Sequence, residues 1–342
     1  MKKSRLISFA LACLMTLALV TGCAQSAGTT TETSPTTLIK TEAPSEAAVT
    51  SKAEASSASN TASAASLSGI SLTDMTGREI NLNAPARRIV ALAAADCEIL
   101  YAIGAGDTLV GRGEYCDYPA EISSIPSVQS GAETNIEQII GLNPQVVIMN
   151  TMTQTVEQVE TLENAGITVV VSEATDIAGV YTAINMIGAL TGKVSEANSV
   201  VDQMKSVFSE VSGKVPVSTG KTVYFEVSPL EYGLWTAGSG TFMNELAGML
   251  GLKNAFADLD GWAEISQEQV IERDPDYIVT ITMYSGSGVS PVEEIKARDG
   301  WQNISAVKNN AILNADSNSI SRPGPRLADA LKTMYSFIYG NT

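Results

Sequence analysis

The sequence predicts an α/β protein: two Rossmann-like lobes, each built on a central, mostly parallel sheet, joined by a single long α-helix. Three observations lead there. Residues 175–215 keep apolar side chains three or four positions apart, at Ile177, Val180, Ile184, Ile187 and Leu190 and then at Val194, Ala197, Val201, Met204, Phe208 and Val211. That spacing is the signature of an amphipathic helix. On both sides of it, short apolar runs of strand length alternate with helical patterns, which calls for parallel strands covered on both faces. Finally, 44% apolar content in 342 residues is enough to fill two compact cores.

Taken in order, residues 1–22 read as a secretory leader, with Lys2, Lys3 and Arg5 before an apolar run over 6–20 that is short for a membrane span. The leader closes on VTGC at 20–23, which resembles a bacterial lipobox and implies cleavage before Cys23 and lipidation of its thiol. Residues 23–68 are rich in Ser, Thr and Ala and nearly free of large apolar side chains. Such a stretch buries too little to offset its ordering entropy and is expected to be a disordered leash. At about 45 residues its ends would lie roughly 35–40 Å apart.

The first lobe is expected over 69–175. ISLTDMTGREINL (70–82) suggests a hairpin turning at Thr76-Gly77. Strands are expected at 87–94, 107–113, 145–150 and 167–172, and helices at 96–103, 135–142 (capped by Asn135) and 157–165. In the connector, 176–215, Gly192 is placed to end one helix before Ser195 helps start another. Its second half, 194–212, would span about 28 Å at 1.5 Å per residue. The second lobe, 216–342, repeats the logic: strands at 221–227, 277–283 and 311–313, a loop at 228–240, and helices at 241–250, 266–273, 291–297 and 327–338.

Charge and composition exclude several functions. A formal charge of −16 argues against nucleic acid, whose partners carry basic patches. The chain has no histidine, which removes Ser-His-Asp and Cys-His catalysis, H-E-x-x-H zinc chemistry and any imidazole ligand to a metal. Neither GSG sequence (238–240, 286–288) is a G-x-S-x-G elbow. GALTGK (188–193) has three residues where a P-loop has four, and lies inside a helical pattern. An enzyme is therefore not expected, nor a bound cofactor or metal site.

Four stretches then carry a resemblance: RRIVALAAADCEILYAIG (87–104), YCDYP with NIEQIIGLNP (115–119, 135–144), WTAGSGTFMNE with GWAEISQEQV (235–245, 261–270), and SRPGPRLADA (321–330). In order and spacing the chain resembles the substrate-binding lipoproteins of ABC importers for cobalamin, iron–siderophores and haem. The resemblance covers essentially the whole body after Gly69. It implies a monomeric, non-catalytic receptor, lipid-anchored outside the cytoplasmic membrane, that captures a metal chelate between its lobes and delivers it to a permease dimer and its ATPase.

Ligands of open α/β sheets sit beyond the carboxyl ends of the strands. The loops expected to face the cleft are 93–97, 112–117, 129–134 and 150–154 in the first lobe, and 228–240, 260–264, 284–290 and 316–324 in the second. There aromatics concentrate, Tyr115, Tyr118, Tyr232, Trp235, Trp262 and Tyr284, a set suited to a large ring-rich ligand, with Asp117 as a further candidate contact. Their nearby cations are Arg112 and Arg322, with Arg326 opening the last helix. Scarce cations and the YCDYP sequence favour a corrinoid over an anionic ferric siderophore, although 150–153 offers no tryptophan where corrinoid receptors have one. A siderophore-specific receptor and a non-transport surface protein of the same fold stay open. The resemblance also places one permease-docking glutamate on each lobe: Glu268 in the second, and Glu157 or Glu160 in the first, with Glu157 favoured. Cys97 and Cys116, both at strand ends, are either a disulfide or two buried thiols.

Overall fold

The computed structural model describes residues 69–340, except 132, 152–153, 217–218 and 283–287. The leader, Cys23, the leash and Tyr284 lie outside the described residues.

The first lobe opens with the expected hairpin, β1 (Ile70–Thr73) against β2 (Glu79–Leu82), antiparallel. Then come β3 (Ile89–Ala91), α1 (Ala94–Ala102), β4 (Leu109–Gly113), β5 (Ser127–Val128), α2 (Ile136–Gly141), β6 (Val146–Met149), α3 (Val156–Asn164) and β7 (Thr168–Val171). The last five strands form one parallel sheet in the order β5-β4-β3-β6-β7. β3 and β6, at its centre, are buried along their whole lengths, as a sheet covered on both faces requires. Asn135 caps α2, accepting from the Gln138 N–H at 2.9 Å.

The connector forms two helices, α4 (Ile177–Thr191) and α5 (Val194–Lys214). Gly192 makes the corner in the left-handed region (φ 72°), where other residues are strained. The corner is also tight: a Cβ on Gly188 would stand 2.4 Å from that of Ala197. The helix that joins the lobes is α5. Near its start Lys193, Glu196 and Val200 lie beside Ala102 and Ile103 of the first lobe.

The second lobe runs through β8 (Thr222–Glu226), β9 (Leu234–Ala237), α6 (Phe242–Met249), β10 (Lys253–Asn254), β11 (Trp262–Ile265), α7 (Gln267–Arg273), β12 (Tyr277–Thr280), α8 (Pro291–Ala297), α9 (Ser305–Lys308), β13 (Ile312–Asn314), α10 (Ser317–Ser321) and α11 (Leu327–Tyr339). Its parallel sheet has the order β10-β8-β12-β13. The end of α5 meets α11 here, with Val211 and Lys214 beside Tyr335 and Ser336.

The expected loop at 228–240 holds a strand instead. β9 pairs antiparallel with β11, Leu234 opposite Ile265 and Ala237 opposite Trp262. Leu234 and Ile265 are buried on one face, while Trp235 and Trp262 stand on the other, about two-fifths exposed.

One apolar cluster runs through both lobes. It joins Ile89, Cys97 and Ile148 of the first to Phe225, Leu246 and Leu331 of the second, by way of α4 and the buried face of α5. Val201, Met204, Phe208 and Val211 supply that face, each stabilising by about 1.5–3 kcal/mol when removed from water.

Candidate functional site: a cleft between the lobes

The parallel strands of the first lobe deliver their ends to one place. Leu92 to Asp96 follow β3, Tyr115 follows β4, Ser130 and Gly131 follow β5, Asn150 follows β6, and Ser172 to Thr175 follow β7; all line one cleft of about 350 Å³. Phe242, Trp262, Ser321, Arg322 and Pro323 face them from the second lobe. Trp262 is held edge-on to Phe242, ring centroids 5.6 Å apart. Tyr115, 72% exposed, leaves its ring free to cover a ligand.

Of the residues singled out in the sequence, the cleft brings together Tyr115, Trp262 and Arg322. Tyr232 and Trp235 are exposed but do not line it. Arg112 does not line the cleft either: its guanidinium donates to the carbonyls of Ile122, Ile125, Gly113 and Cys116 at 2.9–3.3 Å and clamps the turn after β4. Asp117 faces a cation of the other lobe: Arg322 donates to its Oδ1 at 2.6 Å and Asn318 to its Oδ2 at 3.2 Å. Burial alone would raise the Asp117 carboxyl, but Arg322 brings it below its ordinary value.

Arg322 belongs to a larger cluster that stitches the lobes. Glu98, on α1 and buried, accepts from Arg322 at 2.8 Å and from two nitrogens of Arg326 at 2.6 and 2.8 Å. Arg326 also lies over the Tyr118 ring, 4.2 Å from its centroid. The other stitch is at the head of α4, where Phe242 N–H donates to the Thr175 carbonyl at 2.8 Å and Ile177 N–H to the Glu245 carboxylate at 2.6 Å.

Sequence reasoning placed 93–97, and so Asp96, at the cleft without singling Asp96 out, and it missed Phe242 and the segment after β7. The last was within reach, because the strand-end rule applies to that strand as to the others. Asp96 is 2% exposed at the cleft wall, and burial pushes its carboxyl up to about 7, against a hydrogen bond from Ser172. Cys97 and Cys116 are both buried free thiols with sulfurs 3.0 Å apart; their contact and burial push the Cys97 thiol well up. Among the described residues no cluster of His, Cys, Asp or Glu is arranged to hold a metal ion, and no helix is long and apolar enough to cross a membrane.

Outside the cleft, α3 and α7 begin alike. Each opens with a capping box: the Thr155 hydroxyl accepts from Gln158 N–H and the Ser266 hydroxyl from Gln269 N–H, both at 3.3 Å, while each Gln returns a bond to its cap. Glu157 and Glu268 therefore occupy the same second helical position, one on each lobe, both exposed. Hydrogen bonds from their own backbone and from the Thr155 and Ser266 caps hold both carboxyls below their ordinary value. Glu160, the other first-lobe candidate, is exposed one turn further along α3.

A two-lobed α/β body with its cleft at the strand ends is the architecture of a binding protein. Residues 89–318 match the family described as periplasmic binding protein, and the chain belongs to that family. It is 32% identical over 279 residues to the ABC transporter substrate-binding lipoprotein YvrC of Bacillus subtilis, covering 80% of this chain and 86% of that one. It is 26% identical to a cobalamin-binding protein of Halobacterium salinarum, covering 79% and 74%. Among solved structures, a possible iron-binding periplasmic solute-binding protein of Staphylococcus epidermidis is 31% identical with a TM-score of 0.63, covering 74% of this chain and 99% of that one.

Proposed function

We propose that this chain is the extracytoplasmic receptor of an ABC importer and that it captures a corrinoid of the cobalamin type between its lobes. The observation that carries this reading is the pair of aromatics on opposite walls of the cleft, Tyr115 and Trp262. They offer ring faces to a broad, flat ligand at little entropic cost. The cobalamin-binding and substrate-binding relatives support the same class. A ferric siderophore is the second reading, favoured by the structural neighbour described as a possible iron-binding protein. The metal in either case is cargo, and the protein performs no catalysis and keeps no cofactor of its own.

In this reading Cys23 carries the lipid anchor, residues 23–68 form the leash, and the body acts as a monomer. Glu157 and Glu268, matched in helical position on the two lobes, dock against cationic residues of a permease dimer. Their equivalence favours Glu157 over Glu160.

Calorimetric titration with cyanocobalamin, cobinamide and ferric siderophores tests the ligand. Tight corrinoid binding, weakened at least tenfold in Trp262→Ala, is expected. Binding of a siderophore alone would move the assignment to the second reading.

A further inference from the structure

The two walls of the cleft differ in chemistry. The second-lobe wall is aromatic, and Arg322, its one cation among the described residues, is already bonded to Glu98 and Asp117. The first-lobe floor presents oxygen acceptors. Asp96 lines the cleft in the first turn of α1, 2% exposed, and its Oδ2 has no hydrogen-bond partner among the described residues. Asn150, following β6, lines the same cleft, and its Oδ1 is likewise buried without a partner among the described residues. Buried acceptors left unpaired are costly, more so when charged, so a fold retains them where something else supplies the donor.

The surroundings decide what kind of donor. Glu173 also lines the cleft, and its carboxylate is held by the Thr151 N–H and hydroxyl at 2.7 and 2.6 Å. A ligand carboxylate or phenolate at this floor would meet Asp96 and Glu173 with no unengaged cation among the described cleft residues to offset them. An N–H group would meet two waiting oxygens. Resting on the reading of this cleft as the ligand site, we propose that Asp96 and Asn150 form a subsite for a hydrogen-bond-donating nitrogen of the ligand, a primary amide or a protonated amine, and that this subsite turns away ligands presenting an anion there.

The Asp96 carboxyl also reports the contact. Around it stand Ser172 and Glu173 from the segment after β7, Cys97 beside it on α1, and Arg322 across the cleft. Burial holds its proton up to about pH 7. A nitrogen donor favours the ionised form, so binding near neutral pH releases a proton, whereas a bound carboxylate would require proton uptake.

The test uses the full chain and two ligand pairs, each differing in one group. Cyanocobalamin is compared with its separated monocarboxylic acids, in which one peripheral amide has become a carboxylate. Ferrioxamine B, with its terminal ammonium, is compared with its N-succinyl derivative. Calorimetry in buffers of different ionisation enthalpy reads affinity and proton release together. The chain is expected to bind the amide or ammonium member at least tenfold tighter than a carboxylate counterpart, with proton release. Asp96→Asn, nearly isosteric and free of the buried charge, is expected to lose the proton release and reduce the discrimination to threefold or less; Asn150→Ala should weaken the preferred member.

Corrinoid binding with no preference for amide over carboxylate would overturn the subsite and leave the corrinoid reading intact. No corrinoid binding, but an Asp96-dependent preference for ferrioxamine B, would uphold the subsite and overturn the corrinoid reading. Silence with all the probes would overturn both.

Discussion

Two buried arginine–glutamate clusters sit in different places and hold different things. Within the second lobe, Arg298 donates to both oxygens of Glu226 at 2.6 and 3.1 Å and to Glu294, and lies 4.4 Å from the Trp301 ring centroid. The Arg298 and Glu226 side chains are 2% and 1% exposed. Burial alone would lower the Arg298 guanidinium, but Glu294 and Glu226 raise it instead. Between the lobes, Glu98 is as deeply buried, yet its partners Arg322 and Arg326 keep 13–16% exposure. The first cluster closes on itself inside one core. The second is assembled only when two lobes meet, so it holds a relative position as much as a fold.

Removing one partner from each cluster separates these roles. Arg298→Ala strands Glu226 in the core and is expected to cost about 3–5 kcal/mol in urea unfolding. A cost below about 1 kcal/mol would mean that Glu226 finds another donor. The next largest effect has the opposite sign and comes from Asp96, two residues before Glu98 on the same helix but without an arginine. Its folded-state carboxyl keeps its proton to about pH 7, while in the unfolded chain it ionises near the ordinary 3.8. Stability is therefore complete below about pH 4 and falls as pH rises through 7. Asp96→Asn should stabilise the protein by roughly 2–4 kcal/mol at pH 8 and leave it unchanged at pH 3.5. Equal gains at both values would rule out the buried charge as the cause.

Glu98→Gln comes third, at about 2 kcal/mol, because Arg322 keeps Asp117 and Arg326 keeps Asp316. Its signature lies elsewhere: hydrogen exchange should quicken in 94–102 and 317–327 with little change in β8 and β12. Uniform quickening would place Glu98 in the fold rather than between lobes. The smallest effect on stability belongs to Glu157→Ala with Glu268→Ala, within about 0.5 kcal/mol for exposed positions. That double variant should bind ligand normally and fail in uptake by whole cells; normal uptake would remove the docking role.

What was legible in the sequence was whatever is decided locally. Asn135 announces its helix because a cap acts on the N–H three residues on, and Thr155, Ser266 and Ser290 cap theirs in the same way. Gly192 announces a corner because few other residues tolerate its backbone. β5 and β10, two residues each, carry no period to detect. β9 was hidden because its partner β11 begins 25 residues after Ala237. The bonds from Arg322 to Glu98 and Asp117 join residues 224 and 205 positions apart, so nothing near Arg322 reveals that its charge is already engaged. Trp262 was found from its motif, whereas Asp96 fell inside the expected cleft loop 93–97 without any local mark of its buried carboxyl, whose Oδ2 has no partner among the described residues.

The helix that joins the lobes also sets the order in which the chain can be finished. Part of the cover over α5 comes from α11, the last helix, with Tyr335 packed against the cluster that holds Phe208 and Val211. Until residues 327–339 arrive, the bridge stays bare on that side, and a chain ending before Leu327 would leave it open to water. Packing of the joining helix is therefore complete only once residues 327–339 have docked against it.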